Sequence, residues 1–132
     1  MPPVRVLCVE DNPQNMRLVR KILSGAGYHV IEAVDGLSGI EAIRSEAPDL
    51  VLMDVNLPDL DGLEVTRRIR AEGAWPNLPI IALTANAMHG DKERCIEAGC
   101  SGYIPKPITK SELLGTVRHF SPDVQQNSPS QT

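Results

Sequence analysis

Residues 50–62 read Leu50-Val51-Leu52-Met53-Asp54-Val55-Asn56-Leu57-Pro58-Asp59-Leu60-Asp61-Gly62. The stretch Leu50–Met53 is apolar at every position, the pattern of a short strand covered on both faces. Asp54 follows it directly, so a carboxylate stands where the strand ends. The loop VNLPDLDG then leads into a helix marked by Leu63, Val65 and Ile69. A doubly covered strand needs helices on both sides, so the flanking sequence should alternate strands and helices.

Upstream, Val4–Val9 (VRVLCV) is β-branched and strand-like, and it stops at Glu10-Asp11-Asn12-Pro13. Asp11 or Asn12 can cap a helix there, and Pro13 suits its first turn. Leu18, Val19, Ile22, Leu23 and Ala26 form one helical face, closed by Gly25 and Gly27. Tyr28–Ala33 is a second strand, Asp35-Gly36 a turn, and Leu37, Ile40 and Ile43 mark a second helix to about Glu46. Pro48-Asp49 breaks that helix.

Downstream, Trp75-Pro76-Asn77 is loop and Pro79–Leu83 a fourth buried strand ending at Thr84. Met88–Ala98 reads as a weaker helix with Gly90 inside it. Gly102–Ile104 is a short fifth strand, followed by Pro105-Lys106-Pro107. Thr109 and Glu112 have capping-box spacing and open a last helix to about Phe120. This is a five-fold βα alternation, an α/β doubly wound parallel sheet with right-handed crossovers. Residues 1–120 are expected to be the domain and residues 121–132, polar and without periodicity, a disordered tail or linker stub.

Composition narrows the function. At 132 residues the chain is one domain, large enough for a core without staples. It carries 13 Lys and Arg against 17 Asp and Glu, net −4, with the basic residues scattered. Duplex binding needs a basic surface, and base stacking needs aromatics; Tyr28, Trp75, Tyr103 and Phe120 are too few and too dispersed. Direct nucleic-acid binding is not expected. No apolar run approaches a membrane span, and the N-terminus lacks a signal-peptide core. Cys8, Cys95 and Cys100 show no CxxC spacing and read as reduced packing residues, so a cytoplasmic location is expected.

The chemistry lies at the strand ends. Glu10 and Asp11 follow the first strand, Asp54 the third, Thr84 the fourth and Lys106 the fifth. In a parallel sheet these ends share one edge, where open α/β folds bind ligands. Singly, each is an ordinary cap, turn residue or solvated charge. Together, three carboxylates without a nearby His or Cys make a hard oxygen site suited to Mg²⁺. A lysine and a hydroxyl can serve phosphoryl oxygens, and an aspartate can be the nucleophile that forms an acyl phosphate.

The segments VLCVEDNPQN, LVLMDVNLPDLDGLE, IIALTANA and GYIPKPI, in this order, resemble the receiver (response-regulator, CheY-like) family of two-component phosphorelay signalling. The likeness spans Val4 to Phe120 and extends to DivK-like single-domain regulators and to receivers of hybrid histidine kinases. It implies a flavodoxin-like (βα)5 fold with strand order 2-1-3-4-5. It implies Asp54 as phosphoacceptor, with Mg²⁺ (or Mn²⁺) held by Asp11, Asp54 and the Asn56 backbone carbonyl, and by Glu10 through a water. Thr84 and Lys106 would meet the phosphoryl group, and Tyr103 would turn inward on activation. A cis Lys106-Pro107 bond is also implied.

The implied partners are a histidine kinase or histidine phosphotransfer protein and a downstream protein target. The implied behaviour is a self-dephosphorylating switch rather than a turnover enzyme, monomeric at rest and able to dimerise on activation. Asn12, Gln14, Asn15 and Met16 are candidate partner contacts. One rival is an aspartate-nucleophile phosphatase of the haloacid-dehalogenase type, which usually carries a second Asp where this chain has Asn56. A receiver excised from a hybrid kinase is another. A flavodoxin-like cofactor binder would need a phosphate-friendly loop where Glu10 and Asp11 stand.

Overall fold

Leu50 and Leu52 pack into one apolar layer and Val51 and Met53 into another, so the strand at the heart of the chain is covered on both sides. The computed structural model describes residues 3–86 and 90–121. Strands and helices alternate as β1 (Arg5–Val9), α1 (Pro13–Gly25), β2 (His29–Ala33), α2 (Gly36–Glu46), β3 (Leu50–Asp54), α3 (Gly62–Ala71), β4 (Ile80–Thr84), α4 (Asp91–Ala98), β5 (Gly102–Pro105) and α5 (Lys110–Phe120). The strands form one parallel sheet in the order β2-β1-β3-β4-β5, the expected arrangement. No helix among the described residues is long and apolar enough to cross a membrane.

Side-chain alternation divides the core. Val6, Cys8, Leu50, Leu52, Ile81, Leu83 and Ile104 meet Met16, Val19 and Leu23 of α1 and Leu113 and Val117 of α5. Leu7, Val9, Val51, Met53, Ile80 and Ala82 meet α2, α3 and α4. Each fully buried Leu or Ile contributes roughly 1.5–3 kcal/mol. The same alternation aims the polar ends. Glu10 continues the Val6 and Cys8 series, Asp54 the Leu50 and Leu52 series, and Lys106 follows Ile104. Thr84 continues Ile80 and Ala82, toward the face that carries α4.

The helix faces differ in part from the hydrophobic pattern. In α1 the buried stripe is Met16, Val19 and Leu23, while Leu18 is 37% exposed. Leu18 sits about a hundred degrees round the helix from Val19 and lines a shallow groove with Ile22 and Leu114 instead. Met16, at the edge of the expected apolar face, packs into the core, the role its position favours over a partner contact. In α2, Leu37 is 59% exposed and the contact face includes Gly36 and Gly39. A Cβ on Gly39 would come within 3.0 Å of Val9 Cγ2, so bare backbone lets α2 approach the sheet. Apolar periodicity cannot register a face made of glycine.

The start of α4 is corrected too. The helix begins at Asp91, and Gly90 is its N-cap, left-handed at φ 91°, not an interior residue. Glycine adopts that conformation without strain, so Gly90 starts the helix instead of weakening it. Met88 and His89 lie outside the described residues. Ser121, assigned above to the tail, is the buried C-cap of α5 and donates its hydroxyl to Val117 O at 2.6 Å. Residues 122–132 lie outside the described residues.

Candidate functional site

The carboxyl edge of the sheet gathers Glu10, Asp54, Thr84 and Lys106, as their strand-end positions require. Asp54 ends β3 beside Leu83 of β4, and Thr84 pairs with Pro105 of β5, one residue before Lys106. Asn12 caps α1 through its side chain, accepting from Gln14 N and Asn15 N, which turns the chain sharply after Glu10. Glu10 is itself fixed by accepting the Asn12 backbone N–H at 3.1 Å through Oε2.

Asp54 is 1% exposed. Its Oδ1 accepts from the Asn56 backbone N–H at 3.0 Å and lies 3.1 Å from Lys106 Nζ. Lys106 Nζ is also 3.4 Å from Glu10 Oε1, so one ammonium faces two carboxylates. Burial works against the lysine's charge, but Asp54 and Glu10 outweigh it and hold its pKa above the ordinary value. Lys106-Pro107 is cis, as the family resemblance implied.

Glu10 shows the opposite balance. It is 1% exposed, and burial together with the neighbouring Asp54 carboxylate raises its pKa to about 7, against the lowering effect of the Asn12 N–H and Lys106. Its Oε1 is buried and has no hydrogen-bond partner among the described residues. Glu10, the exposed Asp11 and Asp54 each offer an oxygen within 4.8 Å of one another. Three hard oxygen donors, with one Glu10 oxygen ion-paired but making no hydrogen bond, fit a small divalent cation that keeps several of its own waters.

Two residues not singled out from the sequence build this edge. Gly62, at the start of α3, lies against the Asp54 carbonyl: a Cβ there would be 2.0 Å from that oxygen. Its N–H donates to Val55 O at 2.9 Å, folding the VNLPDLDG loop back over the strand end. Asp59 accepts from the N–H groups of Gly36 at 2.7 Å and Leu37 at 3.0 Å, pinning the loop to the start of α2. The Asp61-Gly62 pair was the visible signal for the first; nothing local marks the second.

Thr84 is buried, and its hydroxyl donates to Asp91 Oδ2 at 2.6 Å while accepting the Asn86 N–H at 3.0 Å. Asp91, at the first position of α4, was not anticipated. Tyr103 is half-buried against the apolar layer shared by α2, α3 and α4. Asn56 is exposed at the mouth of the site. All three thiols are buried; burial raises Cys95 to about 12 and Cys8 and Cys100 upward as well, in keeping with packing roles.

A parallel sheet in this order, with an acidic cluster and a lysine at its carboxyl edge, defines a doubly wound α/β domain with a charged site at its strand ends. The chain belongs to the response regulator receiver domain family, whose pattern matches residues 6–118. It is 40% identical over 121 residues to the polar-differentiation response regulator DivK of Brucella anthropi, covering 92% of this chain and 98% of that protein. It superposes with a TM-score of 0.85 at 33% identity on a putative response regulator from Chloroflexus aurantiacus, covering 89% of this chain and 97% of that one. The receiver domain of sensor histidine kinase PA1611 from Pseudomonas aeruginosa, solved with a magnesium ion coordinated in its active site cleft, matches at 0.83 and 40% identity over 89% of this chain and 97% of that one.

Proposed function

We propose that this receiver accepts a phosphoryl group on Asp54 from the phosphohistidine of a histidine kinase or histidine phosphotransfer protein, and thereby switches a protein-binding surface. The observation that carries the reading is the Asp54 carboxylate, buried at the sheet edge with Lys106 at 3.1 Å and Glu10 and Asp11 alongside. Lys106 and the Asn56 N–H hold one carboxylate oxygen. The other attacks phosphorus. A P–O bond forms as the P–N bond breaks, and the electron pair returns to the departing imidazole. No general base is needed, because the nucleophile carries no proton to remove.

Asp11, Asp54 and the Asn56 backbone carbonyl would hold Mg²⁺, with Glu10 reaching it through a water; Mn²⁺ has the same donor preference. The ion supplies neutralisation of phosphoryl charge. Lys106 would supply a second positive centre, and Thr84 a hydroxyl donor. Tyr103, packed on the layer beneath α4, would follow Thr84. The phosphatase reading draws no support from the site, where Asn56 stands in place of a second carboxylate. We assign residues 1–120 to the receiver, with Ser121 added as the cap of its last helix. The test is phosphotransfer profiling with purified, ³²P-labelled kinases of the source genome. Label should pass to this chain from a cognate donor and not to its Asp54→Asn variant; label on that variant would overturn the assignment.

A further inference from the structure

We propose that Asp91 is a latch on Thr84: in the resting protein it holds the hydroxyl that a phosphoryl group on Asp54 needs, and it ties that hydroxyl to α4. The inference rests on the reading of Thr84 as the residue that answers phosphorylation.

The argument begins with a count of protons. A threonine hydroxyl has one hydrogen to donate. In this structure that hydrogen goes to Asp91 Oδ2 at 2.6 Å, and the acceptor side of the same oxygen takes the Asn86 N–H at 3.0 Å. Thr84 therefore cannot donate to a phosphoryl oxygen while it donates to Asp91. The two acceptors compete, and both are anionic. Asp91 is a strong competitor because it is 4% exposed and its bond to Thr84 is buried and charge-assisted.

Asp91 is also prepared to let go. Its other oxygen, Oδ1, accepts from Arg94 Nη1 at 2.6 Å, and it sits in the first turn of α4, where the helix dipole favours a negative charge. When Thr84 leaves, the carboxylate keeps a cation and a helix end. Arg94 Nη2 lies 3.6 Å from Asp61 Oδ2, and Asp61 caps α3 through the Leu63 N–H. Release of Thr84 thus frees the start of α4 from β4 while leaving it tethered to α3. Gly90, the left-handed N-cap, makes no side-chain cap bond, so the Thr84–Asp91 contact is the polar tie between β4 and the first turn of α4 among the described residues. This gives the hydroxyl a direct mechanical connection to α4 that does not pass through Tyr103.

A latch in the resting state reduces the apparent affinity for anything that needs the released form. Beryllofluoride, a phosphoryl mimic, should be bound in the presence of Mg²⁺ and its dissociation constant read from amide chemical shifts. Asp91→Ala should tighten binding about tenfold. Asp91→Asn, which keeps the shape and a neutral acceptor, should tighten it by less. In a Thr84→Ala background neither change should have an effect. No tightening by either Asp91 variant, or equal tightening with and without the Thr84 hydroxyl, would overturn the latch while leaving the Asp54 reading intact. Failure of the wild-type chain to bind beryllofluoride at all would overturn both.

Discussion

Lys106 Nζ stands 3.1 Å from Asp54 Oδ1 and 3.4 Å from Glu10 Oε1, so a single ammonium is shared by two buried carboxylates. Burial of Glu10, and then the neighbouring Asp54 carboxylate, raise its pKa to about 7, because the one shared ammonium does not offset them. The resting site is thus short of positive charge, which is the condition that recruits a divalent cation.

Neutralising Glu10 should relieve that deficit. Glu10→Gln keeps an oxygen to accept the Asn12 N–H and removes one charge. In EDTA at neutral pH or above, it should stabilise the fold by about 1–3 kcal/mol, and with millimolar Mg²⁺ the advantage should shrink or reverse. Chemical denaturation in both buffers checks this; a variant less stable in EDTA would contradict it.

The same group sets a pH dependence. A carboxyl whose pKa is higher in the fold than in the unfolded chain binds protons in the fold that the unfolded chain has already released. The Glu10 contribution to metal-free stability should therefore fall as pH rises from 4.5 to about 7, and stay low above that. Mg²⁺ affinity should rise over the same window, because proton and cation compete. Melting temperatures at about pH 5 and about pH 8, each with EDTA and with Mg²⁺, should show the larger metal-induced rise at the higher pH.

Thr84→Ala removes the donor and leaves the nucleophile. It should still accept a phosphoryl group on Asp54 yet lose most of the amide shift change across residues 90–106, the stretch that includes α4 and Tyr103. Lys106→Ala should be worse, since it also leaves two buried carboxylates without their shared cation. Wild-type shifts in the Thr84 variant would contradict this route.

How much of this was legible in the sequence depends on what each feature leaves in the chain. β3 and β4 are buried on both faces, and unbroken apolar runs announce such strands. Asp54 and Thr84 end those runs, so the site edge followed. Asp91 left no such mark: its role comes from α4 packing back against the end of β4, a tertiary contact. The glycine face of α2 is invisible to apolar periodicity, and Leu37, the residue that pattern favours, points outward. The reciprocal cap joins Asp35, read only as part of a turn, to Ser38, within the stretch read as helix.

Gly62 offers a structural test of the loop. Adding one methyl group would place a Cβ 2.0 Å from the Asp54 carbonyl oxygen, backbone against backbone, with no side chain able to yield. Gly62→Ala should cost about 3 kcal/mol and also weaken Mg²⁺ binding, because the strand end that carries Asp54 must shift. An unperturbed melting temperature in this variant would mean that the loop moves freely of the site.

The most direct test of the central claim is intact and peptide mass spectrometry after incubation with acetyl phosphate. With Mg²⁺, the wild-type chain should gain the mass of one phosphoryl group, localised to the peptide containing Asp54, and EDTA should abolish the gain. Asp54→Asn should gain nothing. The same adduct on Asp54→Asn, or its placement on any other residue of the wild-type chain, would contradict the account.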